Sequence, residues 1–119
     1  MIKAVFIISL FFGFAVSAVT QHVETGKASY YADKFQGQKT ASGQLYHPDS
    51  LTAAHKTLGF GTLVKVTNLG NGKSVIVRIN DRGPFVKGRV IDLSKNAMKT
   101  LEGIDKGLIN VKVEVLKRE

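Results

Sequence analysis

The clearest feature of the chain is strict alternation of apolar and polar positions in three places. Leu63 to Thr67 and Ser74 to Asn80 flank Asn68-Leu-Gly-Asn-Gly-Lys73. The Asn71-Gly72 pair marks the connection as a β-hairpin. Val75, Val77 and Ile79 share one face of its second strand. Near the C-terminus, Ile109, Val111, Val113 and Val115 alternate with Asn110, Lys112 and Glu114, which predicts a half-buried strand. Lys27 to Tyr31 predicts a first strand, because Tyr30 and Tyr31 favour extended backbone. One helix breaks this pattern. Ser94 is placed to cap it, with Leu93 and Met98 as a hydrophobic staple. Ala97, Met98 and Leu101 form its apolar stripe, and Gly103 is placed to end it. The frequent glycines are spread evenly, as turns between short strands require. No repeat or low-complexity tract interrupts them.

The N-terminus reads differently. Lys3 precedes an apolar run from Ala4 to Val16, and small residues surround Ala18. This predicts a secretory signal peptide over residues 1–18. The run is short for a spanning helix, which needs about 20 apolar residues. The remaining length suits one domain. The chain has no cysteine, so it has neither disulfides nor the Cys-directed lipid anchor of bacterial lipoproteins. Its core must therefore suffice by itself, and a closed sheet is one way to build one. With 17 Lys and Arg against 9 Asp and Glu, the formal net charge is +8. An exported basic protein is drawn to anionic polymer. Export argues against nucleic acid and in favour of cell-wall material.

The candidate chemistry concentrates after the second hairpin strand, in Asn80-Asp81-Arg82-Gly83-Pro84-Phe85. Gly83 and Pro84 force a turn and set Asp81 and Arg82 at a rim. Asp81 continues the parity of residues 75, 77 and 79, so its carboxyl group is expected on the apolar side, partly desolvated, as suits a general acid. An Asp that bonds turn amides fits the same stretch. Asp92, just ahead of the helix, can serve the helix dipole or form the second carboxyl group of a glycan-cleaving pair. His55 is either a hydrogen-bonded structural histidine or a group that orients a carboxylate or touches sugar. His22 and His47 read as incidental. The three histidines show no metal spacing, so no metal site is expected. Tyr30, Tyr31, Phe35 and Phe85 offer flat faces to sugar rings or to a core. There is no phosphate loop, dinucleotide fingerprint or nucleophile elbow.

Several stretches occur together in one order: Gly26-Lys-Ala-Ser-Tyr-Tyr31, Thr40-Ala-Ser-Gly43, Leu51-Thr-Ala-Ala-His-Lys-Thr-Leu58, Gly61-Thr62, Val64-Lys-Val-Thr-Asn-Leu69, Val77-Arg-Ile-Asn-Asp-Arg-Gly-Pro-Phe85 and Arg89-Val-Ile-Asp-Leu-Ser94. Over residues 26–116 the series resembles the RlpA (rare lipoprotein A) family. The resemblance implies a mainly β fold: a six-stranded double-psi β-barrel with one or two short helices. It implies a lytic transglycosylase that cleaves peptidoglycan between N-acetylmuramic acid and N-acetylglucosamine and leaves 1,6-anhydromuramic ends, without cofactor or metal. By position it implies Asp81, His55 and Asp92 as the catalytic set: Asp81 as acid/base, His55 as orienter or sugar contact, Asp92 in support or as the acid itself. Gln44, Arg82, Tyr31 and Thr40 are the implied substrate contacts. Gln44 stands where the family usually has Glu, and Gln cannot carry a catalytic proton. That departure keeps a second reading open, an expansin-like module that binds glycan without cutting it. The expected partner is the peptidoglycan glycan strand. The expected state is a monomer, exported to the periplasm or beyond and free of a lipid anchor.

Overall fold

The computed structural model describes residues 22–118. The predicted signal peptide lies outside the described residues. Six strands and one short helix follow in the order β1 (Val23–Tyr30), β2 (Thr52–Ala54), β3 (Leu63–Asn68), β4 (Ser74–Asp81), β5 (Arg89–Leu93), α1 (Lys95–Thr100) and β6 (Ile109–Lys117). A single 3₁₀ turn, Asp33–Phe35, follows β1. The strands close into a barrel in the order β1-β5-β2-β4-β3-β6. Pairs β1–β5 and β2–β4 are parallel, and the other four are antiparallel. Exchanging β1, β2 and β3 for β4, β5 and β6 maps this ring onto itself, so the two halves of the domain are topologically equivalent. Closure leaves no strand edge unpaired among the described residues. A chain without disulfides thereby gains a core enclosed on every side.

The alternating segments fill that core. Val64 pairs with Val77 and Val66 with Val75 across the hairpin, while Val115 and Val113 lie opposite Val64 and Val66 on β6. Ile79, Ile91 and Leu93 complete the interior, and α1 adds Ala97 and Met98, with Leu101 beyond its end. The hairpin turn forms at the expected place by other chemistry than a two-residue loop. Asn68 N–H bonds Lys73 O at 2.8 Å, and among the turn residues only Gly72 takes positive φ, 79°.

The helix also starts as expected and ends differently. Ser94 Oγ accepts from Ala97 N at 3.3 Å and donates to Ser50 O at 2.6 Å. At the far end Glu102 N bonds Lys99 O and Gly103 N bonds Met98 O, the paired pattern of a Schellman cap. The left-handed position of that cap is Glu102, with φ 57°, and not Gly103. Gly103 is needed for space, because a Cβ there would meet Met98 Sδ at 2.5 Å. Leu101 O accepts from Asn68 Nδ2 at 2.9 Å and from Asn71 Nδ2 at 3.1 Å, which ties the helix end to the hairpin.

β1 begins at Val23, four residues before the predicted start. It pairs with β6 from Val23–Glu114 to Ala28–Ile109. Val23 faces out and Glu24 is half-buried, so this stretch carries no hydrophobic alternation to announce it. Gly26 is held close to β5, where a Cβ would meet Val90 Cγ1 at 2.4 Å.

Candidate active site

The ends of β1 and β4, the middle of β5 and the long β1–β2 connection enclose an open cleft of about 490 Å³. The connection folds back over the barrel through backbone bonds between Gln38 and Tyr46 and between Thr40 and Gln44. Its anchor is Tyr46, which is 2% exposed and accepts a bond from Lys95 N at 3.1 Å. The Tyr31 ring stacks on Tyr46 at 4.4 Å and 15° and meets Phe35 edge-on at 6.0 Å.

Asp81 does not continue the inward series of β4. Between Ala53–Ile79 and Ala54–Asp81 the β2–β4 register shifts by one residue. Asn80 is buried next to Ile79, and the alternation ends there. This bulge turns Asp81 away from the apolar interior and into the cleft, so the parity expectation is corrected. Its carboxylate is half-buried and accepts three hydrogen bonds. Oδ2 accepts from the Tyr31 hydroxyl at 2.5 Å, and Oδ1 accepts from Ala41 N at 2.8 Å and Arg82 N at 2.9 Å. Burial pushes the Tyr31 hydroxyl above its ordinary value of 10.0, and the bond to Asp81 and the charges of Asp81 and Asp92 push the same way. Tyr31 is therefore a fixed donor throughout the working pH range.

Asp92 lines the same cleft from β5. Its Oδ1 accepts from Ser29 Oγ on the adjacent β1 and from Arg89 Nη2 at 3.0 Å. Arg82 is held at the rim. Its Nη1 donates to Leu58 O at 2.8 Å and to His55 O at 3.2 Å, and its guanidinium lies 4.2 Å from the Phe60 ring centre. Thr40, buried, also lines the cleft and donates to Gln44 O at 2.7 Å.

Two of the expected site residues lie elsewhere. The Gln44 side chain accepts from Asn80 Nδ2 at 3.2 Å and faces neighbouring hollows that Arg78 and Asn80 line. His55 is 3% exposed. Its backbone N–H bonds Asp81 O at 3.1 Å, but its ring points into a separate hollow with His22, Glu24 and Lys56. The His55 ring therefore does not line the cleft: both its nitrogens are engaged away from it. Nδ1 accepts from Thr57 N and Leu58 N, both at 3.1 Å, and Nε2 donates to Glu24 Oε2 at 2.6 Å.

His22 is not incidental. It bonds the same Glu24 oxygen at 2.6 Å and meets His55 edge-on at 6.0 Å. The ligand atoms of His22, Glu24 and His55 lie within 4.8 Å of one another, a grouping no sequence spacing announces. Hydrogen bonding accounts for it. With Nδ1 of His55 accepting two amide bonds, the proton sits on Nε2, which leaves no lone pair there for a cation.

A family model described as lytic transglycolase matches residues 23–113. The chain belongs to this family. Among lytic transglycolase relatives, the probable endolytic peptidoglycan transglycosylase RlpA of Synechocystis sp. is 50% identical over 103 residues, covering 87% of this chain and 32% of that protein. The endolytic peptidoglycan transglycosylase RlpA of Pasteurella multocida is 55% identical over 95 residues, covering 80% of this chain and 32% of that protein. The chain thus spans about a third of the length of these relatives. Among solved structures, the Streptomyces papain inhibitor matches with a TM-score of 0.66 at 24% identity, over 81% of this chain and 96% of that one. An expansin from Clavibacter michiganensis matches with a TM-score of 0.64 at 22% identity, over 81% of this chain and 51% of that one. These likenesses show the shared double-psi barrel fold. Every group that lines the cleft belongs to the stretch the family model covers.

Proposed function

We propose that this chain is an endolytic peptidoglycan transglycosylase that works on the wall outside the cytoplasm. The observation that carries the reading is the Asp81 carboxylate, fixed by one phenol and two backbone amides in an open cleft that also holds Asp92. In the proposed cycle the Asp81 carboxyl group gives its proton to the leaving glycosidic oxygen. The three donors stabilise the carboxylate that this step leaves behind. The carboxylate then takes the proton of the muramic C6 hydroxyl as that oxygen bonds to C1. No water enters, and the carboxyl group ends as it began. Asp92, held by Ser29 and Arg89, supplies the second negative charge beside the developing positive sugar centre. The family membership and the names of the relatives support the substrate class. The signal-like N-terminus supports the location.

The test is incubation of purified protein with purified sacculi, with the soluble products read by mass spectrometry. The proposal expects muropeptides or glycans ending in 1,6-anhydromuramic acid. Retention of the protein on sacculi without such products would overturn cleavage in favour of a glycan-binding module.

A further inference from the structure

The cleft is held partly from behind. His55 sits between it and the hollow of His22 and Glu24. Its ring uses both nitrogens at once, Nδ1 as acceptor for Thr57 N and Leu58 N and Nε2 as donor to Glu24. Only neutral imidazole offers an acceptor and a donor on opposite sides of one rigid ring. The turn that this ring organises then serves the cleft through its backbone. His55 O and Leu58 O receive the Arg82 guanidinium, and His55 N holds Asp81 O. Glu24 lies on β1, where it pairs with Val113 of β6, and it lines no part of the cleft. It receives both His22 and His55 on a single oxygen, each at 2.6 Å.

We infer that Glu24 is a positioning residue for the cleft. By holding Nε2 of His55 it fixes the 55–58 turn, and the carbonyls of that turn aim Arg82 at the rim where a glycan would lie. Glu24 touches neither the cleft nor its occupant; its effect passes through His55 and then Arg82. The inference rests on the proposed function only for its activity arm.

The test uses the full chain, ¹⁵N-labelled, with Glu24→Thr and Glu24→Gln. Threonine suits the strand but cannot reach His55, whereas glutamine keeps an acceptor oxygen at the same distance. The first readout is the guanidinium NMR signals of Arg82, assigned by their loss in Arg82→Lys. The second is the split of KM and kcat on sacculi. Glu24→Thr should average the resolved Arg82 signals and raise KM about fivefold or more, with a smaller change in kcat, as expected from one lost hydrogen bond. Glu24→Gln should restore the Arg82 signals and bring KM back to within about twofold. Should Glu24→Thr not fold, Glu24→Asp, one methylene too short to reach both histidines, is read by the same criteria. Wild-type Arg82 signals together with wild-type KM in a folded Glu24→Thr or Glu24→Asp variant would overturn the inference. If the wild type releases no anhydromuramic product, the proposed function fails, and the Arg82 signals alone still decide the role of Glu24.

Discussion

Tyr31→Phe isolates one bond of the proposed machinery. The substitution removes only the hydroxyl oxygen that donates to Asp81 Oδ2 at 2.5 Å. The ring can keep its stack on Tyr46 at 4.4 Å and its edge contact with Phe35, so the wall of the cleft is preserved. Asp81 retains its two backbone donors at Oδ1. A hydrogen bond to a charged group contributes about 1.5–3 kcal/mol. If that bond acts on the carboxylate formed as the leaving oxygen is protonated, its loss slows turnover about ten- to a hundredfold. KM should stay near wild type, because the ring and its packing in the cleft wall are retained. Stability should fall by the same bond energy, about 1.5–3 kcal/mol, with Tm decreasing by about 4–8 °C per kcal/mol for a domain of this size. The assay is the initial rate of anhydromuramic ends released from sacculi, with thermal melts by circular dichroism alongside. The sign of the alkaline behaviour follows from the raised Tyr31 value. Its stabilising contribution is complete below pH 10.0 and is lost as pH rises further, so the variant should lack that part of the alkaline loss. A folded Tyr31→Phe protein whose kcat lies within twofold of wild type would refute the claim that this bond serves the transition state.

Three other outcomes are expected. Asp81→Asn keeps an acceptor for Ala41 N and Arg82 N, and the Tyr31 hydroxyl can rotate to accept from the new amide. The fold should persist while product falls about a hundredfold or more; an undiminished rate would move the proton role to Asp92. Glu102→Gly should raise stability by about 0.5–1 kcal/mol, since φ 57° costs a side chain about that much more than glycine. The ion pair of Glu102 with Lys73, at 3.8 Å, is exposed and adds little, so a lower melting temperature would refute the account of the cap. Glu24 is lowered below its ordinary 4.5: burial works to raise it, and the bonds from His55 and His22 outweigh burial. Its contribution is present above pH 4.5 and lost as pH falls through the lowered value. Acid titration of Glu24→Gln should therefore show a shallower loss of melting temperature than wild type.

The legible parts of the fold were those where one face is buried and the other solvated. β3, β4 and β6 alternate because each lies in the barrel wall with Val64, Val77 or Val113 inward and Lys65, Ile76 or Lys112 outward. β2 escaped that reading because it has only three residues, and the start of β1 because Glu24 and Gly26 take the inward positions. In the site, Asp81, Asp92, Arg82, Tyr31 and Thr40 were named from the sequence, and the structure brings all five to one cleft. The direction of Asp81 was misread because one bulged residue at Asn80 reverses every side chain after it. The partners of these groups were not legible at all. Ser29 reaches Asp92 across 63 positions and Glu24 reaches His55 across 31, and no local pattern encodes a separation of that kind.

The equivalence of the two halves has a consequence for how the molecule matures. Tyr31 directly follows β1 and Asp81 ends β4, and exchange of the halves carries one of these strands onto the other. The bond between them is thus a seam between counterpart ends. Neither half alone contains both the donor and the acceptor, and Asp92 on β5 meets Ser29 on β1 across the same seam. A chain that has formed only one half holds no assembled carboxylate site. Assembly of the site waits instead on one run of the ring, β1-β5-β2-β4, which joins strands of both halves.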